Sequence, residues 1–165
     1  MTSIEWTDRT WNPVIGCARV SAGCENCYAE TMAARVALMQ KAQGRESPYL
    51  KVVDVERRRW NRRAVFLPER LGDPLRWRKP CRVFVNSMSD LFHDDITFEQ
   101  IEQVAALMEA TPQHTYQVLT KRPARMLEFL NWLGPALPNL HVGVSVENQE
   151  AADERIPLLL QCPAA

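Results

Sequence analysis

The second half of the sequence alternates short apolar runs with amphipathic segments, and this alternation limits the fold more than any other feature. Residues 82–86, 115–119 and 141–146 are apolar runs typical of buried strands, and each precedes a segment with helical periodicity. The first of these helices carries a start signal, because Thr97 is followed three residues later by Gln100, the pattern of a capping box. Alternation of this kind predicts an α/β fold with parallel strands joined by helices.

The first half of the sequence adds two further candidate strands. Residues 11–17 form a short apolar run, interrupted by Pro13, that leads into a group of cysteines. Residues 64–68 form another run that ends at a proline, and helical spacing extends from about residue 25 to residue 40 between them. Five parallel strands would leave the edge of the last strand exposed, so we expect truncation after the fifth strand and its helix. Residues 1–165 are then the N-terminal part of one longer domain.

Polar side chains follow three of the candidate strands, at the point where each strand ends. The carboxyl ends of parallel strands meet at one edge of a sheet, and the active sites of α/β proteins collect there. We therefore expect these residues to converge on one rim, onto which the cysteine loop also opens. The residues are Ser87, Ser89, Asp90, Lys121, Arg122, Ser145, Glu147 and Asn148. The alternative is that such residues act only as helix caps and turn formers.

Three of the five cysteines, Cys17, Cys24 and Cys27, are close together in the sequence. No apolar run reaches the length of a membrane span and the N-terminus has no secretory pattern, so we expect a cytoplasmic protein without membrane association. Thiols stay reduced in the cytoplasm, and an odd number of cysteines fits poorly with a disulfide framework. Metal binding is therefore the favoured interpretation of the three cysteines.

The number of cysteines argues against an ordinary closed zinc site. Structural zinc is usually held by four ligands, and no fourth Cys or His lies near the three in sequence. Three ligands predict a metal site with one open position, and Gly16 and Gly23 give the loop backbone freedom by allowing positive φ. Zinc with a distant fourth ligand, or reduced cysteines without metal, are the alternatives.

Residues 43–79 form a basic segment within a chain of zero net charge. They contain eleven Lys or Arg and five Asp or Glu, together with Trp60 and Trp77. Such a connecting segment is a candidate for contact with the phosphate backbone of a nucleic acid. The alternative is a solvated connection whose arginines pair with surface carboxylates.

Several motifs together resemble two known groups of proteins. Residues 12–29 are similar to the opening of radical S-adenosylmethionine enzymes of the spore-photoproduct-lyase-like group, with the same Asn-Pro, Gly-Cys and Cys-x2-Cys-Tyr-Ala elements. The similarity to the phage and prophage three-Cys-motif family of unknown function is closer. Residues 4–17 resemble its opening, and residues 84–92, 119–123 and 143–147 resemble three later elements of that family. The resemblance covers nearly the whole chain.

The resemblance implies a partial TIM-like (β/α)6 barrel of parallel strands and an iron–sulfur cofactor. Cys17, Cys24 and Cys27 would bind three irons of a 4Fe–4S cluster, and S-adenosylmethionine would chelate the fourth. Reduction of the cluster by an electron donor would then cleave the cofactor to a 5′-deoxyadenosyl radical. The chain differs from the common radical-enzyme pattern in the six residues, rather than three, between Cys17 and Cys24.

The same resemblance assigns cofactor contacts to the ends of three strands. The segment that contains Asn86, Ser87, Ser89 and Asp90 would face the methionine part of S-adenosylmethionine. Ser145 and Glu147 would lie near its ribose or amino group. Lys121 or Arg122 would neutralise its carboxylate, for which a cation is suited.

Three functions are consistent with these patterns. The first is a radical enzyme that depends on S-adenosylmethionine, with an unknown substrate for which nucleic acid is one candidate, and with a partner protein encoded alongside it. The second is a non-catalytic module in which zinc or an iron–sulfur cluster has a structural or nucleic-acid-binding role. The third is an inactive fragment, because a barrel that lacks strands would not retain its cofactor.

Overall fold

A computed structural model describes residues 4–163 and shows a mixed α/β fold. The strands are β1 (Arg9–Trp11), β2 (Val14–Gly16), β3 (Val53–Asp54), β4 (Arg59–Trp60), β5 (Ala64–Phe66), β6 (Arg82–Val85), β7 (Thr115–Thr120) and β8 (Leu140–Val144). The helices are α1 (Tyr28–Ala42), α2 (Phe98–Glu109), α3 (Pro123–Leu133) and α4 (Gln149–Leu159). None of the described helices is long and apolar enough to cross a membrane.

Four strands form a parallel sheet in the order β1-β6-β7-β8. A helix follows each of the last three strands, so the strand–helix alternation predicted for the second half of the chain is confirmed. The predicted start of α2 is also confirmed. The Gln100 amide donates to the Thr97 hydroxyl at 3.3 Å, and the Thr97 amide donates to the Gln100 side-chain oxygen at 3.0 Å.

The main core lies between the sheet and the helices that follow its strands. Val83, Val85, Tyr116 and Val118 are buried in one cluster with apolar residues of α2 and α3. Successive side chains of a strand point to opposite faces, so the residues between these four belong to the other face of the sheet. On that face Trp6 packs against Phe84 with 4.7 Å between the ring centroids.

The prediction of five parallel strands is wrong for the run at 64–68 and for most of the run at 11–17. The latter run contains only the end of the parallel strand β1, and Pro13, which lacks an amide hydrogen, separates β1 from β2. Strand β2 leaves the parallel sheet and pairs antiparallel with β5, so the apolar run at 64–68 is not a parallel strand either. The short antiparallel pair of β3 and β4 was not predicted.

Helix α1 and the two small antiparallel pairs enclose a second core beside the cysteine loop. The helix begins at Tyr28, directly after Cys27, rather than at about residue 25. Its buried apolar residues are all alanines, which allows close approach to Ile15, Val52 and Trp60 of the second core. The cysteine loop is therefore held between packed elements at both ends.

The two tryptophans of the basic segment at residues 43–79 make contacts within the chain. Trp60 is buried in the second core, with 8% of its surface exposed. Trp77 packs edge-on against His114 at 5.7 Å between ring centroids, and the Arg9 guanidinium lies 5.1 Å from its ring. Trp77 is thus half-buried and Trp60 buried, and contact of the segment with a nucleic acid stays a prediction.

Candidate functional site

An open cleft of about 200 Å³ lies at the carboxyl ends of the parallel strands. Its walls are the cysteine loop, the segment that follows β6, the turn that follows β7, and Ser145 after β8. The three cysteines and the predicted polar residues line this cleft together, apart from Glu147 and Asn148. The lining residues that the sequence predicted are Cys17, Cys24, Cys27, Asn86, Ser87, Ser89, Asp90, Lys121, Arg122 and Ser145.

The three cysteines enter the cleft from different local structures. Cys17 follows β2, Cys24 ends a single 3-10 turn (Ala22–Cys24), and Cys27 is the N-cap residue of α1. All are free thiols, and no three Cys, His, Asp or Glu side chains among residues 4–163 are already arranged as a metal site. Burial raises the pKa of the Cys17 thiol to about 11, and the nearby Asp90 carboxylate adds to this effect.

The two glycines that precede cysteines are required for different structural reasons. Gly16 has a φ of 84°, as predicted, and a Cβ there would lie 2.3 Å from the carbonyl oxygen of Arg63. Gly23 does not use the positive φ that glycine allows. Its lack of a side chain matters because a Cβ would lie 2.8 Å from the side chain of Glu147.

Glu147 lies against the cysteine loop and does not line the cleft. The Arg155 guanidinium donates to its carboxylate at 2.9 Å and to the carbonyl oxygen of Ser145 at 2.6 Å. The Ser21 hydroxyl, together with Arg155, holds the pKa of Glu147 below its usual value. Glu147 thus packs against the turn that carries Cys24, and its contact with a cofactor stays a prediction. Asn148 caps α4, where its side chain accepts from the Ala151 amide at 2.8 Å.

A buried carboxylate joins the ends of β6 and β7. Asp90 accepts from the Thr120 hydroxyl at 2.8 Å, from the Lys121 amide at 3.3 Å and from the Phe92 amide at 3.0 Å. The Arg122 guanidinium donates to the same carboxylate at 3.2 Å. Asp90 and Arg122 therefore neutralise each other, whereas Lys121 has no ion pair within the described part of the chain.

Replacing Asp90 with asparagine is expected to lower the free energy of unfolding by about 2 kcal/mol. The substitution removes the negative charge beside the Arg122 guanidinium and replaces one acceptor oxygen with an NH2 donor. Urea unfolding measures this change. Asp94→Asn is the matched control, since Asp94 is exposed in the same loop and its replacement should change stability by less than about 0.5 kcal/mol. Equal losses for both variants would contradict the role assigned to Asp90.

Asn86 is the least satisfied polar residue of the cleft wall. It has a φ of 58°, and its side-chain oxygen accepts from the Val14 amide at 3.3 Å. Only 4% of its surface is exposed, yet its side-chain nitrogen has no hydrogen-bond partner. By contrast, Ser89 donates to the carbonyl oxygen of Val14 at 2.8 Å, and Ser87 to the side-chain oxygen of Asn12 at 3.3 Å. A buried donor without an acceptor is costly, and this nitrogen is an unsatisfied donor in the cleft wall.

Sequence reasoning missed two residues that shape the cleft. The Tyr28 hydroxyl donates to the carbonyl oxygen of Ser87, and the ring remains 58% exposed at the cleft. Its position directly after Cys27 was the available signal. Glu30 is buried and accepts from Arg19 at 2.5 Å and from the Trp60 amide at 3.1 Å. No local pattern identifies Glu30, because its partners are distant in sequence.

Comparison with known proteins identifies a family and no function. No curated protein and no solved structure matches the chain. A family model with the description "Protein of unknown function (DUF5131)" matches residues 1–165. Because this match spans the whole sequence, the chain belongs to that family.

Proposed function

We propose that the chain binds a 4Fe–4S cluster through Cys17, Cys24 and Cys27 and S-adenosylmethionine in the adjoining cleft, and that it acts as a radical enzyme. The observation that carries the proposal is that the three thiols share one cleft with the unpartnered Asn86 side-chain nitrogen. This cleft lies at the carboxyl ends of parallel strands, where α/β enzymes bind their ligands.

The donor set fits such a cluster. Thiolates are its usual protein ligands, and three of them leave one iron for another molecule. The Cys17 thiol donates to the carbonyl oxygen of Ala18 at 3.5 Å and lies beside the Arg122 guanidinium. The proposal requires the loop between Cys17 and Cys27 to draw the thiols together when the cluster binds. Cluster binding also removes the thiol protons. The free energy of binding therefore has to exceed the cost of deprotonating Cys17, whose pKa is raised by burial.

The residues of the opposite wall suit the second cofactor. The Lys121 ammonium is available to neutralise a carboxylate, because Asp90 is already paired with Arg122. The Asn86 side-chain nitrogen is a donor for an oxygen of the same ligand, and Phe84 and Leu119 provide an apolar surface beside it. When bound and reduced, the two cofactors together supply a radical that removes a hydrogen atom from a substrate.

The finer expectations belong to this proposal. The four-stranded sheet would be part of a partial TIM-like (β/α)6 barrel. The face of the sheet on which Trp6 packs against Phe84 would lie toward the interior of that barrel. The resemblance to the phage three-Cys-motif family adds an electron donor and a partner protein encoded alongside. Free thiols at the cleft agree with a cytoplasmic protein, where thiols stay reduced.

Anaerobic reconstitution with iron and sulfide tests the proposal. We expect about four irons per chain, and formation of 5′-deoxyadenosine when the reconstituted protein is reduced in the presence of S-adenosylmethionine. Elemental analysis and chromatography of the products measure the two results. One zinc per chain without 5′-deoxyadenosine would overturn the proposal in favour of a non-catalytic zinc module.

A further inference from the structure

A second, polar groove of about 320 Å³ adjoins the cysteine cleft. Cys27 and Tyr28 line both, so the two spaces meet at the start of α1. The groove is also lined by three consecutive arginines, Arg57 and Arg58 of the turn between β3 and β4 and Arg59 at the start of β4; together they are called the arginine turn. The proposed function makes no use of this groove.

The arginine turn is held in a fixed shape that exposes its side chains. The Asp54 carboxylate accepts from the Glu56 amide at 3.1 Å and from the Arg57 amide at 3.0 Å, which fixes the chain after β3. Arg58 has a φ of 52°, a conformation that is uncommon for any residue except glycine, asparagine and aspartate. The Arg57 side chain is 82% exposed and that of Arg59 is 49% exposed.

The carboxylates near the turn leave its positive charge available. Asp54 lies 3.8 Å from Arg57, and Glu30 lies 4.0 Å from Arg59 but pairs far more closely with Arg19, at 2.5 Å. Arg58 has no ion pair among residues 4–163. Glu25 also lines the groove and, in the part of the chain that the structure describes, forms no ion pair with any of the three arginines. Guanidinium groups that are not closely paired with carboxylates are suited to hold phosphates, which they bind through two parallel hydrogen bonds.

Tyr28 adds an exposed aromatic ring to the arginines. Its hydroxyl is fixed by the carbonyl oxygen of Ser87, and the ring stands where the groove meets the cleft. A basic groove with an exposed aromatic ring is the arrangement by which proteins bind single strands, since unpaired bases stack on the ring. An acidic peptide would use the arginines but would gain nothing from the ring.

We propose that the Arg57–Arg59 turn binds the phosphates of a single-stranded nucleic acid, and that Tyr28 stacks an unpaired base at the entrance of the cysteine cleft. This inference rests on the proposed function in one respect, because it names a single strand as the substrate class of the cysteine cleft. It replaces the broader expectation that the whole segment from 43 to 79 contacts nucleic acid.

Fluorescence anisotropy of a labelled 12-nucleotide strand, in DNA and in RNA form, tests this inference on the whole chain. The double variant Arg57→Ala/Arg58→Ala should weaken binding about tenfold at 50 mM salt and lower the slope of log affinity against log salt by about 1.4. The matched control is Arg76→Ala/Arg78→Ala, which removes the same charge from exposed arginines outside both grooves and should change affinity less than about twofold.

An abasic strand of the same length isolates the stacking contact. Tyr28→Leu should weaken binding of the normal strand about fivefold or more and leave binding of the abasic strand within about twofold. Equal effects on both strands would overturn the role of Tyr28. Equal losses for the two arginine pairs, or tighter binding of a duplex or an acidic peptide than of the single strand, would overturn the proposal.

Failure of this inference can be distinguished from failure of the proposed function. Strand binding is read by anisotropy without iron, whereas the cluster is read by iron content without a strand. A protein that holds about four irons but binds neither strand refutes the inference alone. A protein that binds the strand through Arg57 and Arg58 but holds no iron refutes the proposed function and leaves strand binding supported.

Discussion

Replacing Cys24 with alanine is expected to abolish stable binding of iron after anaerobic reconstitution, from about four irons per chain to less than about one. Cys24 is the middle thiol of the three in sequence and lies at the end of the short turn against which Glu147 packs. Two remaining thiols supply too few ligands for a cubane cluster. Iron and sulfide analysis, together with the visible absorption of the cluster, measures the change.

The matched control for this prediction is Cys162→Ala. Cys162 is also a free, half-buried thiol, but it does not line the cleft. The control protein should keep about four irons and the same absorption. If Cys24→Ala retained a normal cluster, the assignment of ligands would be wrong even if the protein bound iron. If Cys162→Ala lost the cluster equally, the iron would be bound elsewhere or non-specifically.

The sequence was sufficient to predict the part of the fold in which local signals and topology agree. The strands that carry Asn86, Lys121 and Ser145 at their ends are apolar runs followed by helices, and such runs form parallel strands. Parallel strands bring their carboxyl ends to one edge of the sheet. The convergence of polar residues on a cleft therefore followed from the order of strands and helices along the sequence. Cofactor binding by these residues stays a prediction.

The sequence was insufficient where the outcome depends on a distant partner. Glu147 follows a strand like the other polar residues, but Arg155 on α4 pairs with it and turns it toward Gly23. Strand β5 is as apolar as the parallel strands, and its antiparallel pairing is decided by β2, which Pro13 separates from β1. Neither interaction produces a periodic pattern in the sequence.

Replacing Gly16 with alanine is expected to lower the free energy of unfolding by about 4 kcal/mol. Two penalties combine at this residue. Its φ of 84° is unfavourable for alanine by about 1–2 kcal/mol. In addition, the new Cβ would lie 2.3 Å from the carbonyl oxygen of Arg63 and 2.7 Å from the Cβ of Val52, so packed backbone has to move, which costs about 1–3 kcal/mol. Urea unfolding followed by circular dichroism measures the loss.

Gly44→Ala separates the two penalties. Gly44 also has positive φ, 69°, but a Cβ there meets no atom within 4 Å. This variant should therefore lose only about 1 kcal/mol, and the difference between the two variants is the cost of the close approach at Gly16. Equal losses would show that the backbone around Arg63 yields freely. Because Gly16 directly precedes Cys17, a rigid backbone there also fixes the first thiol, and the Gly16→Ala protein should then lose iron as well as stability.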